Sequence, residues 1–132
     1  MPQISISVSG LDRLERKLRN ASRVLDVAEP PLHRGGLRVQ RRMQDYPPPP
    51  PRSRYIRTGT YGRRWTTRVE RSRNQVRVRV GNNTSYAPLV GSSQFQARIH
   101  RGRWTTDMQA LEQELPVIQR DLQRAIDEEL AR

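Results

Sequence analysis

The five residues Val76-Arg77-Val78-Arg79-Val80 constrain this chain more than any other stretch. Strict alternation is the period of a β-strand and puts three valines on one face and two arginines on the other. Such a strand needs a sheet with one side on a core and the other side open, the habit of antiparallel sheets. A second period-two run precedes it, with Tyr61, Arg63, Trp65, Thr67 and Val69 sharing a face and Glu70 to Gln75 forming the polar link. Together they predict a long β-hairpin. Gly81-Asn82-Asn83 is expected to turn. Ser85 to Val90 is expected to add a short strand, at an edge because of Pro88. Gln94 to Trp104 alternates Phe95, Ala97 and Ile99 among basic residues, as a last strand or a mobile basic loop. The sheet so predicted spans about 60–104, joined by a strand over 4–8 where Ile4, Ile6 and Val8 alternate with serines.

Helical periodicity brackets this region. Ser9-Gly10-Leu11-Asp12 reads as a capping box. Leu11, Leu14, Leu18, Ala21, Leu25 and Ala28 then follow on one stripe, predicting a helix over about 10–28 that Glu29-Pro30-Pro31 ends. Pro31 suits the first turn of a second helix, over about 31–46, with Leu32, Gly36, Val39, Met43 and Tyr46 on one face. Gly35-Gly36 either admits another helix at close range or marks where this one begins. Pro47 to Pro51 stops it and starts a stiff connector over 47–56. Thr106, with Gln109 three residues on, opens a last helix over about 106–131. Its stripe is Met108, Leu111, Leu115, Ile118, Leu122, Ala125 and Glu129, and Pro116 is expected to kink or restart it. The fold class is therefore α+β in a single domain: a small antiparallel sheet with a long hairpin, packed by two N-terminal helices and one C-terminal helix.

A core of that kind has little to draw on. Apolar residues make up about 36% of the 132 when glycine is counted and tyrosine is not, against roughly 45–50% in an ordinary domain. Burial shared with partner subunits is one way to complete it. The net charge of +12 is unevenly spread. Residues 34–103 hold 17 Arg against Asp45 and Glu70, whereas 104–132 hold 7 acids against 3 Arg. Segregation of this kind suits contact with a polyanion or with the acidic face of a neighbouring copy. The candidate basic residues are Arg63, Arg64, Arg68, Arg77, Arg79, Arg98, Arg101 and Arg103, and the candidate acidic ones Glu112, Glu114, Asp121, Asp127 and Glu128.

Catalytic arrangements are not found. The sequence has no glycine-rich phosphate loop, nucleophile elbow or H-E-x-x-H motif, and its two histidines, His33 and His100, fall in different elements. With no cysteine, disulfides and thiolate metal sites are excluded. No enzyme activity and no cofactor is expected. No run reaches the ~20 apolar residues that cross a bilayer. Met1-Pro2-Gln3 does not open as a signal peptide does, so a cytosolic protein, or part of something assembled in the cytosol, is expected.

Two short motifs lie at the ends of the hairpin: Thr58-Gly59-Thr60-Tyr61 before it, and Val78-Arg79-Val80-Gly81 running on to Tyr86-Ala87-Pro88-Leu89-Val90 after it. With the N-terminal strand and helix and the acidic last helix, they resemble the tail-completion (neck, or head–tail joining) proteins of long-tailed bacteriophages, across about residues 4–130. Gln94, His100, Gly102 and Trp104 are similar to a Q…H…G-W pattern of some members, although Arg103 separates the glycine from the tryptophan here. Tyr61 stands where the family usually has an apolar residue, and Val90-Gly91-Ser92-Ser93 lacks the acidic residue many members carry. The resemblance implies a structural virion protein, made in the host cytoplasm. It implies a ring of copies around the genome path, between the head connector and the tail-tube or tail-terminator proteins. The basic residues would then line a DNA channel, with weak non-specific contact, or meet other subunits. A non-sequence-specific nucleic-acid-binding protein, with Tyr61, Trp65 and Trp104 interleaved among arginines, is a second reading. A tail-terminator or minor tail protein is a third.

Overall fold

A computed structural model describes residues 3–7 (backbone), 21–49, 51–52 and 58–131. Its elements are β1 (Gln3–Ser7), α1 (Ala21–Gln44), α2 (Thr60–Arg63), β2 (Trp65–Arg71), β3 (Val76–Asn82), α3 (Ala87–Gly91), a 3-10 turn at Arg98–His100, and α4 (Asp107–Leu130). This is an α+β fold. Val8 of the expected first strand, the expected capping box at Ser9 and Asp12, the stripe through Leu11, Leu14 and Leu18, and residues 50 and 53–56 of the connector lie outside the described residues.

The hairpin forms as its alternation requires. β3 is the central strand of three, antiparallel to β1 on one side and to β2 on the other. In register, Val78 lies opposite Val69 and Ile6, and Val80 opposite Thr67 and Ile4. Val76, Val78 and Val80 are fully buried, while Arg77 and Arg79 reach the other face. Burying each valine contributes roughly 1.5–3 kcal/mol, so the register of this strand is strongly fixed.

Helix α1 lies between the sheet and α4, and two adjacent glycines let it serve both neighbours. A Cβ on Gly36 would lie 2.5 Å from Val78 Cγ1, and one on Gly35 would lie 2.5 Å from Ile118 Cγ1. The missing side chains let the backbone of α1 approach the sheet on one side and α4 on the other. Leu25, Ala28, Leu32, Val39 and Met43 fill the remaining space. The C-terminal helix therefore packs chiefly on α1 rather than on the sheet, making three layers.

Several expectations are corrected. The break at Glu29 does not occur, because α1 runs through Pro30 and Pro31 to Gln44. Both prolines lack the amide that would bond back to residues 26 and 27, a loss of about 3 kcal/mol each in an isolated helix. Burial of Ala28, Pro31 and Leu32 on both flanks of the gap holds the helix together regardless. Likewise α4 does not restart at Pro116 but continues through it. Pro116 and Glu112, four residues before it, are exposed, so water can take the carbonyl the proline leaves unbonded. The buried face of α4 is Ala110, Glu114, Ile118 and Ile126, with Leu111, Leu115, Leu122 and Ala125 half-buried beside it and Met108 exposed.

The region 58–64 is not strand. Tyr61 and Arg63 belong to the single helical turn α2, and period two begins only at Trp65. Gly81 and Asn82 are the last residues of β3 rather than a turn, paired with Thr66 and Trp65. Ser85 to Val90 leads into the turn α3, where Pro88 takes a first-turn position that needs no amide. Residues 94–104 are neither strand nor a free loop. Ala97 donates its amide to Leu89 O at 2.7 Å, and Gln96 Nε2 bonds both Val90 O and Trp104 O.

Candidate functional site

The stretches Thr58–Tyr61, Tyr86–Val90 and His100–Trp104 are distant in sequence and converge on one groove of about 460 Å³. Gly59, with φ +76, takes the left-handed conformation that glycine allows and starts α2. That turn drives Tyr61 into the core. Gly91 makes room for it: a Cβ there would lie 2.5 Å from the Tyr61 hydroxyl oxygen. The ring of Tyr61 meets Tyr46, Trp65 and Trp104 edge-on at 5.6–5.8 Å between centroids, and Tyr86 at 6.4 Å. Burial pushes the Tyr61 hydroxyl well above its ordinary pKa of 10. Gly102, also at φ +76, turns the chain so that Trp104 stacks on Tyr46 at 5.0 Å.

Asn82 ties this floor to the sheet. It is buried, donates from Nδ2 to Tyr61 O at 2.8 Å, and accepts from the Thr84 amide and hydroxyl at 2.9 and 2.7 Å. Above the aromatic floor, Tyr86, Leu89 and Ile99 are 43, 54 and 70% exposed. Arg98, Arg101 and Arg103 stand exposed in the same loop, and none of the three forms an ion pair with a described residue. The site is an apolar patch rimmed by positive charge.

The eight arginines singled out in the sequence fall into three groups. Arg98, Arg101 and Arg103 belong to the groove's loop. Arg68, Arg77 and Arg79 share the sheet face that points away from α1, with Arg68 opposite Arg79 and Arg77 opposite Glu70. Glu70 Oε2 also lies 3.2 Å from Arg79 Nε, so one carboxylate tempers this face. Arg63 and Arg64 are exposed at the corner between α2 and β2. The aromatic residues that would have stacked bases are otherwise engaged: Tyr61 and Trp65 are buried, and Trp104 is stacked on Tyr46.

The acidic residues also divide. Glu114 is not available to a neighbour. It is buried on α4 and accepts from Arg42 Nε at 2.6 Å and Arg38 Nε at 3.0 Å, both from α1. Burial alone would push its carboxyl up, but the hydrogen bonds and charges of Arg42 and Arg38 outweigh that and hold it below the ordinary 4.5. Asp121 is half-buried, 3.8 Å from Arg38 Nη2. Glu112, Asp127 and Glu128 are exposed, and Asp127 accepts from Gln123 Nε2.

Sequence reasoning missed Arg38 and Arg42, although their i, i+4 spacing on one helix face was a readable signal. It also passed over Leu89 and Ile99 as surface residues. Among the described residues, no cluster of three or more His, Asp or Glu side chains could hold a metal ion, and no helix is long and apolar enough to cross a membrane. Comparison with protein-family models, curated proteins and solved structures finds no match.

Proposed function

We propose that this chain is a structural component of a long-tailed bacteriophage virion, one copy in a neck ring that joins head to tail around the genome path. The observation that carries the reading is the groove. The stretches that resemble tail-completion proteins converge there, and they leave Tyr86, Leu89 and Ile99 exposed on a chain of net charge +12. Contiguous apolar surface on so charged a protein is the mark of a docking site. The chain works by adhesion: copies bind one another, and the ring binds the head connector on one side and tail-tube or tail-terminator proteins on the other. The sheet face turned away from α1, with Arg68 exposed and Arg77 and Arg79 half-buried, can meet genomic DNA through phosphate alone, which orients without reading sequence.

The test is to produce particles without the protein and image them by cryo-electron microscopy. Filled heads and free tails that fail to join, with a ring restored at the junction on complementation, is the expected result. Normal tailed particles would overturn the reading.

The same arginine-bearing face favours a second reading, a free-standing non-specific nucleic-acid-binding protein. Duplex titration of the isolated chain separates the two. In a neck ring many copies share one genome, so each needs only weak contact, lost further as salt rises and counterions compete. Tight binding at about 150 mM salt would promote the second reading.

A further inference from the structure

The groove and the far end of α4 complement one another but cannot meet within one molecule. Ser93 N donates to Asp107 Oδ1 at 2.9 Å, which pins the groove's loop to the first residue of α4. The helix then runs 24 residues, about 36 Å at 1.5 Å per residue, away from the groove. Its last turns carry Asp127 and Glu128, exposed, and Leu130, 45% exposed. No basic residue lies in the last turn. The carboxylates therefore sit at the negative end of the helix dipole, an arrangement that favours a cationic partner. At the other end of the molecule, Arg98, Arg101 and Arg103 stand beside an apolar patch with no carboxylate of the described chain to pair with.

We infer that copies of this chain join head to tail, the C-terminal turn of α4 from one copy seating in the groove of the next. Leu130 lies against Leu89 and Ile99, while Asp127 and Glu128 meet the arginines of the 98–103 loop. The inference rests on the assembly reading above and gives it a specific contact. Because the two surfaces are different, the contact is heterologous: repeated, it closes a ring when the rotation per copy divides a full turn and otherwise runs on as a filament. It also accounts for the charge segregation along the sequence, an Arg-rich middle in one copy facing an acidic C-terminal helix in another.

Since the chain has no cysteine, single cysteines can report this contact cleanly. Full-length Ile99→Cys and Leu130→Cys proteins are mixed and oxidised. The expected product is a covalent dimer of one of each, with little dimer from either alone, and a ladder of oligomers from the double variant. Arg101→Glu with Arg103→Glu, placed in the Ile99→Cys protein, should reduce the mixed dimer at least tenfold. So should Asp127→Arg with Glu128→Arg in the Leu130→Cys protein, and combining the two reversed proteins should restore it. Circular dichroism on each variant checks that it is folded. Symmetric Ile99–Ile99 dimers, or no mixed dimer while native mass spectrometry still finds wild-type oligomers, would overturn the head-to-tail contact and leave the neck reading standing. A wild-type chain that stays monomeric at every concentration would also overturn the contact; the neck reading would still be judged on the particles lacking the protein.

Discussion

Ile118 occupies the space that a side chain on Gly35 would need, so a side chain of α4 rests directly on the backbone of α1. Gly35→Ala should gain about 1 kcal/mol of helix propensity yet lose roughly 1–3 kcal/mol to overpacking, for a net fall in stability. In an Ile118→Ala background the same change should become neutral or favourable, because the added methyl then fills a void. Urea denaturation of the four proteins gives the coupling directly. Equal effects in both backgrounds would mean the helices do not meet there.

The strand phase is tested by a pair of variants. Val78 is fully buried between α1 and the neighbouring strands, so Val78→Asp should abolish folding through burial of an unpaired charge. Arg77, one residue away on the opposite face and half-buried, should tolerate Arg77→Ser at a cost of about 1 kcal/mol with folding intact. A soluble Val78→Asp protein with an ordinary melting transition would contradict the register.

Stability should fall at both ends of the pH scale, for separate reasons. The folded pKa of Glu114 lies below its ordinary 4.5, so its contribution is present above that value and is lost as pH falls through the folded pKa. Tyr61 shifts the other way. Its folded pKa lies above the ordinary 10, so its contribution is complete below 10 and is lost as pH rises beyond it. Glu114→Gln should flatten the acid limb and Tyr61→Phe the alkaline limb of a melting-temperature profile. Unchanged limbs would assign the pH dependence to other groups.

Asn82 gives a prediction about the groove itself. Asn82→Ala leaves the Tyr61 carbonyl and the Thr84 amide without their buried partner, which should cost about 1–3 kcal/mol. Near-ultraviolet circular dichroism should show the Tyr46, Tyr61 and Trp104 cluster loosening before the helices melt. A loss spread evenly over all signals would deny Asn82 its local role.

How far each element was legible depended on how many residues its pattern spanned. The alternation from Val76 to Val80, and Thr106 with Gln109, gave β3 and the start of α4 because a strand face and a capping box are each written in consecutive residues. The capping box at Thr106 forms in full. The turns α2 and α3 are four and five residues long, too short for a helical period to separate from a strand's. Tyr61 therefore read as the first of an alternating series. Pro30-Pro31 misled for a different reason. Local propensity argues for a break, and only the sheet and α4 packed on either side of α1 override it, contacts that no nearby residue encodes. The groove was illegible as a site because its walls come from three separated stretches, although the short motifs that form them were visible one by one.

The order of the strands also sets an order of events. β2 and β3 are joined by a short link and can zip together from it, whereas β1 must bring Gln3 to Gly81 across most of the chain. Entropy makes such a closure late. Until it happens, the central strand is temporarily an edge, its amides and carbonyls open to any passing extended segment. A tag or fusion that holds back the first residues would prolong that interval. The pairing of β1 thus acts as a guard against strand exchange between copies.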